Sequence, residues 1–211
     1  MPLYKTITVD ATTALSVWKI EEPFEELAKS VQLQPHHQVR VDGMKSDIHR
    51  RGFLSVRHLL HQHGYTDADL WYDDFGKPHL RDGKQISITH SFEFSALIVG
   101  DSAIGIDIEK QRAKIMKIAY KFTPIEEYRT MANDDAIIRK LTMVWGAKES
   151  IYKSFAQPGL SFRDHVIVRD FRLDALQTTA RVQFGLRRES YGVTFDEFEG
   201  FTLAYAQIQV Q

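Results

Sequence analysis

The sequence contains no cysteine. That absence excludes disulfides, thiolate zinc sites, iron–sulfur clusters and cysteine nucleophiles. A charge excess is missing too: 27 Lys and Arg against 28 Asp and Glu give a formal net charge of −1. So balanced a chain has no electrostatic demand for nucleic acid or an acidic membrane. No apolar run approaches a membrane span, and the opening Met-Pro-Leu-Tyr-Lys-Thr-Ile-Thr-Val-Asp is too polar for a signal peptide. No short repeat or low-complexity linker is visible. The expectation is a soluble, cytoplasmic protein that binds neither nucleic acid nor membrane. What the chain does have is 211 residues, 43% hydrophobic and 26% charged, enough for one large domain or two compact halves.

Clustered and alternating β-branched residues predict strands at Tyr4–Val9 and Ala14–Ile20. Pro23 opens a short helix through Ser30. Phe53, Leu54, Val56, Leu59 and Leu60 form one apolar stripe on a helix from about Gln38 to His63, stopped by Gly64. Asp73-Asp74-Phe75-Gly76-Lys77-Pro78 reads as a loop. Strands follow at Ile86–Thr89, Phe94–Val99 and Ala103–Glu109, with Gly100-Asp101 as a turn between the last two. Helical patterning covers Ala113–Phe122, Pro124–Met131 and Asp135–Phe155, where Ile138, Leu141, Val144, Ile151 and Phe155 are expected in the core. Val166–Arg169, Ala180–Phe184, Gly192–Phe195 and Thr202–Ile208 read as strands. This order predicts an α+β fold of two similar halves, 1–103 and 104–211.

The residues that carry chemistry are acidic first. In Ile104-Gly105-Ile106-Asp107-Ile108-Glu109, alternation on a strand puts Gly105, Asp107 and Glu109 on one face and the isoleucines on the other. Neighbouring carboxylates repel unless something positive compensates, and a hard divalent cation is the natural choice. Gly105 would leave room for a ligand to approach the backbone. A solvated acidic edge strand is the alternative. In Trp145-Gly146-Ala147-Lys148-Glu149-Ser150-Ile151-Tyr152-Lys153, Glu149 and Lys153 share a helix face with Trp145 one turn before. A surface ion pair is the alternative there.

Basic and hydroxyl groups come earlier in the chain. Arg50, Arg51 and Arg57 lie on one helical stretch, and arginine forks suit phosphate; a solvated helix face is the alternative. Lys77 sits in Gly76-Lys77-Pro78, and Thr89-His90-Ser91 can donate to phosphate oxygens. No Gly-x-Ser-x-Gly elbow surrounds Ser91, and His36, His37, His49, His58, His61 and His63 show no strong metal spacing.

Taken in order, Gly76-Lys77-Pro78, Ser87-Ile88-Thr89-His90-Ser91, Gly105-Ile106-Asp107-Ile108-Glu109, Phe122 to Glu126 and Trp145 to Lys153 resemble the 4′-phosphopantetheinyl transferase superfamily, most of all its long, Sfp-type members. The resemblance spans about residues 50–160. It implies two similar α+β halves with coenzyme A between them, in a monomer. By the same resemblance Asp107, Glu109 and Glu149 match magnesium positions, and Lys153 matches a lysine on the pyrophosphate. Lys77, Thr89 and His90 match positions for the nucleotide and its 3′-phosphate, while Arg51 and Arg57 fall in the family's basic helix. Ala113–Phe122, with Ile115, Met116 and Ile118, falls where the family docks an acyl or peptidyl carrier protein; an ordinary core helix is the alternative. Thr89 replaces a common serine, and Gln157-Pro158-Gly159-Leu160 replaces a more glycine-rich ending.

The implied reaction moves phosphopantetheine from coenzyme A to a carrier serine and releases 3′,5′-ADP. Lys153 would stabilise charge, and Glu149 would be base, metal ligand or both. The rival activities are a coenzyme A- or nucleotide-binding protein without transfer, and a metal-dependent phosphoesterase.

Overall fold

The computed structural model describes residues 3–128 and 131–209. The fold is α+β and divides into two compact units, Met1–Asp101 and Ser102–Gln211.

In the first unit, β1 (Leu3–Thr8) and β2 (Ala14–Lys19) form an antiparallel hairpin. Short helices α1 (Phe24–Ala28) and α2 (Pro35–Asp42) precede α3 (Asp47–Gln62). The small strands β3 (Leu70–Tyr72) and β4 (Pro78–Leu80) pair with each other. Then β5 (Gln85–Ser91) and β6 (Phe94–Gly100) complete a sheet in the order β1-β2-β6-β5. The apolar stripe of α3 lies on this sheet: Phe53, Leu54, Val56, Leu59 and Leu60 are buried with Trp18, Ile86, Leu97 and Val99.

The second unit starts at β7 (Ile104–Lys110) and passes through α4 (Lys114–Ile118) to the long α5 (Asp134–Phe155). After α6 (Phe162–His165) come β8 (Val166–Val168), β9 (Gln177–Phe184), β10 (Arg187–Phe198) and β11 (Phe201–Ile208). The sheet order is β7-β11-β10-β9-β8, antiparallel throughout. The Asn133 side chain caps α5 by accepting from the Ala136 N–H at 2.9 Å. The helix ends at Ala156, whose φ of 52° is left-handed. Leu141, Val144, Ile151 and Phe155 are buried as the periodicity predicts, against Val166, Val182, Tyr191 and Val193 of the sheet.

Four expectations change. The helix expected over 38–63 is two, because Gly43 ends α2 and a new helix starts at Asp47. The loop around Asp73–Pro78 is tighter than expected, with a short strand on either side too brief to show alternation. Gly100-Asp101 joins no hairpin: β6 pairs with β2 and β5, while β7 pairs with β11, so the turn marks the step from one unit to the next. Over the expected helix 124–131, Ile125–Glu127 forms a single 3-10 turn, and Arg129 and Thr130 lie outside the described residues. No helix among the described residues is long and apolar enough to cross a membrane.

Candidate active site

The site in the second unit exists because α5 comes unusually close to β7 and β11. Asp107 pairs with Ala204, Gly105 with Ala206 and Glu109 with Thr202. Small side chains therefore alternate along the helix-facing surface of both strands. A Cβ added to Gly105 would sit 1.8 Å from the Ser150 carbonyl oxygen, and one added to Gly146 would be 3.1 Å from Ala204 Cβ. The space at Gly105 is thus taken by helix backbone, not left for a ligand as expected from sequence.

This close packing drops the acidic side chains beneath and beside α5. Asp107 is 5% exposed, and its Oδ1 accepts from Lys153 Nζ at 2.7 Å. The same ammonium donates to the Ile106 carbonyl at 2.9 Å. Lys153 thereby reaches from helix to strand. Glu149, one turn earlier, is half-buried and has its carboxyl pushed up to about 7. Burial is the largest cause, Asp107 and Glu109 add to it by repulsion, and Lys153 opposes them. Three carboxylates therefore share one field with the Lys153 ammonium.

That donor set fits a hard divalent cation, since all-oxygen anionic ligands are what magnesium selects. Among the described residues, no three His, Asp or Glu side chains stand at metal-holding spacing. The carboxylates converge in their electrostatics without closing a ligand cage, and one of them is drawn to Lys153.

Beside them Trp145, Phe162 and Tyr152 form a ring cluster, with centroids 5.6 Å apart at each step. Lys148 was part of the helix motif without a role of its own. Its side chain is fully buried and donates to the carbonyls of Phe122 at 2.7 Å and Phe162 at 3.0 Å. It ties α5 to the segments on either side of Trp145. A lysine flanked by apolar residues on a helix gave the only sequence signal for this. Of the segment 113–122, Ala119 and Phe122 are buried, Ile115, Met116 and Ile118 are partly buried against the core, and Tyr120 is 61% exposed.

The first unit holds the other site residues named from sequence. His90 and Thr89 are neighbours on β5 and so point to opposite faces: Thr89 is buried and His90 exposed. The His90 ring lies on α3, where a Cβ at Gly52 would meet its Cδ2 at 2.6 Å. Arg51, next to Gly52, pairs with Asp47 at 2.8 Å and is partly exposed. Lys77 is half-buried at the start of β4, which packs beside β5.

Arg57 is the correction. Its guanidinium is 1% exposed, donates to Asp67 Oδ1 at 2.8 Å and lies 3.5 Å from the Phe53 ring centroid. Asp67 is also within 2.9 Å of His37 Nδ1 and accepts from the Gln34 N–H at 2.7 Å. Burial would raise the Asp67 carboxyl, but the bonds from Gln34, His37 and Arg57 outweigh it and hold it below its usual range. Arg57 is thus consumed by the fold. Seven-residue spacing aligned it with Arg50, whose guanidinium instead stacks 3.8 Å from the Phe24 ring centroid; nothing in the sequence marked Asp67 as a buried partner.

No curated protein matches the sequence. Residues 103–206 match the model of the 4′-phosphopantetheinyl transferase superfamily, a span that covers β7, α5 and the rest of the second unit through most of β11. By this match the second unit of the chain belongs to the 4′-phosphopantetheinyl transferase superfamily.

Proposed function

We propose that the chain is an Sfp-type, magnesium-dependent enzyme that transfers 4′-phosphopantetheine from coenzyme A to a serine of an acyl or peptidyl carrier protein. What supports this reading above all is the superfamily match over residues 103–206, a span that holds Asp107, Glu109, Glu149 and Lys153. Asp107, Glu109 and Glu149 would hold the magnesium, which when bound supplies a positive centre for pyrophosphate oxygens.

The chain's own groups do the rest. Glu149, or a water that it orients, accepts the proton of the attacking serine hydroxyl. The serine oxygen bonds to the β-phosphorus, the bond from that phosphorus to the bridging oxygen breaks, and 3′,5′-ADP departs with the electron pair. Lys153, already fixed by Asp107 and the Ile106 carbonyl, takes up charge that grows on the phosphoryl oxygens. Lys77, Thr89, His90 and Arg51 hold the nucleotide end. The partly buried segment at Ile115, Met116 and Ile118 receives the carrier protein.

The test is mass spectrometry of apo carrier proteins from fatty-acid and peptide synthesis, each incubated with the enzyme, coenzyme A and magnesium. The reading predicts a gain of one phosphopantetheine arm on at least one carrier, lost with Asp107→Ala. No gain on any of them would sink it.

A further inference from the structure

We propose that Asp73 is the positioning residue that fixes Lys77 for the 3′-phosphate end of coenzyme A, an inference that rests on the functional reading above. The segment between β3 and β4 is short, and the carboxylate of Asp73 organises it from three sides. Asp73 Oδ1 accepts from the N–H of Phe75 at 3.0 Å and from the N–H of Lys77 at 2.9 Å. Its other oxygen is 3.1 Å from His79 Nε2. Its own backbone closes the turn, with the Asp73 N–H donating to the Lys77 carbonyl at 3.1 Å and the Asp73 carbonyl accepting from Gly76 at 2.9 Å.

The network continues outward into the hairpin. Trp71 pairs with His79 across the two strands, and their rings stack at 4.4 Å with 19° between planes. Trp71 thus steadies His79, His79 steadies the carboxylate, and the carboxylate holds the amide of Lys77. Gly76, immediately before Lys77, has φ of +81° with open space where a Cβ would be. That left-handed residue makes the turn possible but supplies no restraint of its own. The restraint on Lys77 comes from Asp73. A flexible lysine gains phosphate affinity when its backbone is fixed beforehand, because less freedom is lost on binding.

Five proteins, wild type, Asp73→Ala, Asp73→Asn, Lys77→Met and the double variant Asp73→Ala, Lys77→Met, would be titrated calorimetrically with coenzyme A and with 3′-dephospho-coenzyme A. Neither titration needs a carrier protein or turnover. Asp73→Ala is expected to weaken coenzyme A roughly tenfold, the scale of one charged hydrogen bond, and to leave the dephospho ligand nearly unchanged. Asp73→Asn keeps an acceptor for both amides and should recover most of the loss. The double variant Asp73→Ala, Lys77→Met should lose no more than Lys77→Met alone. Equal weakening of both ligands would overturn the proposal, since a general loss of structure acts that way. Wild-type affinity in Asp73→Ala would overturn it while leaving the transferase reading intact. No binding of coenzyme A by wild type would overturn both.

Discussion

Each unit lays one long helix across an antiparallel sheet and buries charge near that contact, yet the charges are settled differently. On α3, Arg57 meets Asp67, which also meets His37 and a backbone amide, and the group is closed on itself. On α5, burial and the repulsion of Asp107 and Glu109 push the Glu149 carboxyl up, against the pull of Lys153. A buried carboxylate whose charged form is stabilised by its neighbours serves the fold; one whose charged form is disfavoured is a candidate for chemistry. The direction of the shift separates the two clusters: Asp67 is held below its usual range and Glu149 is pushed above it.

The largest expected effect breaks the close helix contact on one side of this comparison. Gly105→Ala would drive a methyl group into the Ser150 carbonyl, which cannot yield without moving α5. We expect a cost of about 3 kcal/mol or more, beyond usual overpacking, read as a lowered urea midpoint. Gly52→Ala meets only the His90 ring, which can swing away, and alanine is the better helix former by about 1 kcal/mol. Its melting temperature should barely change.

Next in size is removal of one charge from each cluster. Asp67→Ala leaves Arg57 buried without its carboxylate and should cost about 3–5 kcal/mol in thermal or urea unfolding. Glu149→Gln removes a repelled carboxylate, so stability at neutral pH should hold or rise while carrier modification is lost. A Glu149→Gln protein destabilised as much as Asp67→Ala would erase the distinction drawn between the two clusters.

A smaller effect is a difference in pH response. Asp67 is held below its usual range, so its stabilising contribution is present above the unfolded value and lost as pH falls through the depressed one. His37 is lowered from 6.5, chiefly by burial, so acid favours the unfolded chain there as well. Glu149 has the opposite sign. Its raised value means that ionisation opposes folding, and the second unit should lose stability as pH rises from 4.5 through about 7. Amide exchange measured along α3 and α5 from acid to neutral pH should show protection rising on α3 and falling on α5. Parallel slopes would contradict the assignment.

Much of the architecture was legible because periodicity reports burial. The stripes of α3 and α5 and the strands from β5 to β11 could be read from the positions of Leu, Ile, Val and Phe. Pairing was harder. Nothing local tells β6 that it should pair with β2, or β7 that its partner is β11 about a hundred residues later. The acidic residues were legible as an ordered set, Asp107, Glu109, Glu149 and Lys153, and the family match falls over them. Gly105 was misread because a glycine on a strand leaves room equally for a ligand and for a helix. The alternating Ala204-Tyr205-Ala206 on the partner strand was the available sign that a helix takes that room. Arg57 was misread because a helix spacing says which side a residue is on, while burial depends on a distant Asp67.

The central proposal is that Asp107, Glu109 and Glu149 hold a divalent cation, and proton release on metal binding tests it most directly. Magnesium should be titrated into the protein at pH 7 in two buffers of different ionisation enthalpy. With Glu149 titrating at about 7, binding should expel roughly half a proton, and Glu149→Gln should abolish that release. Saturable magnesium binding without proton release, or release unchanged in Glu149→Gln, would contradict the account.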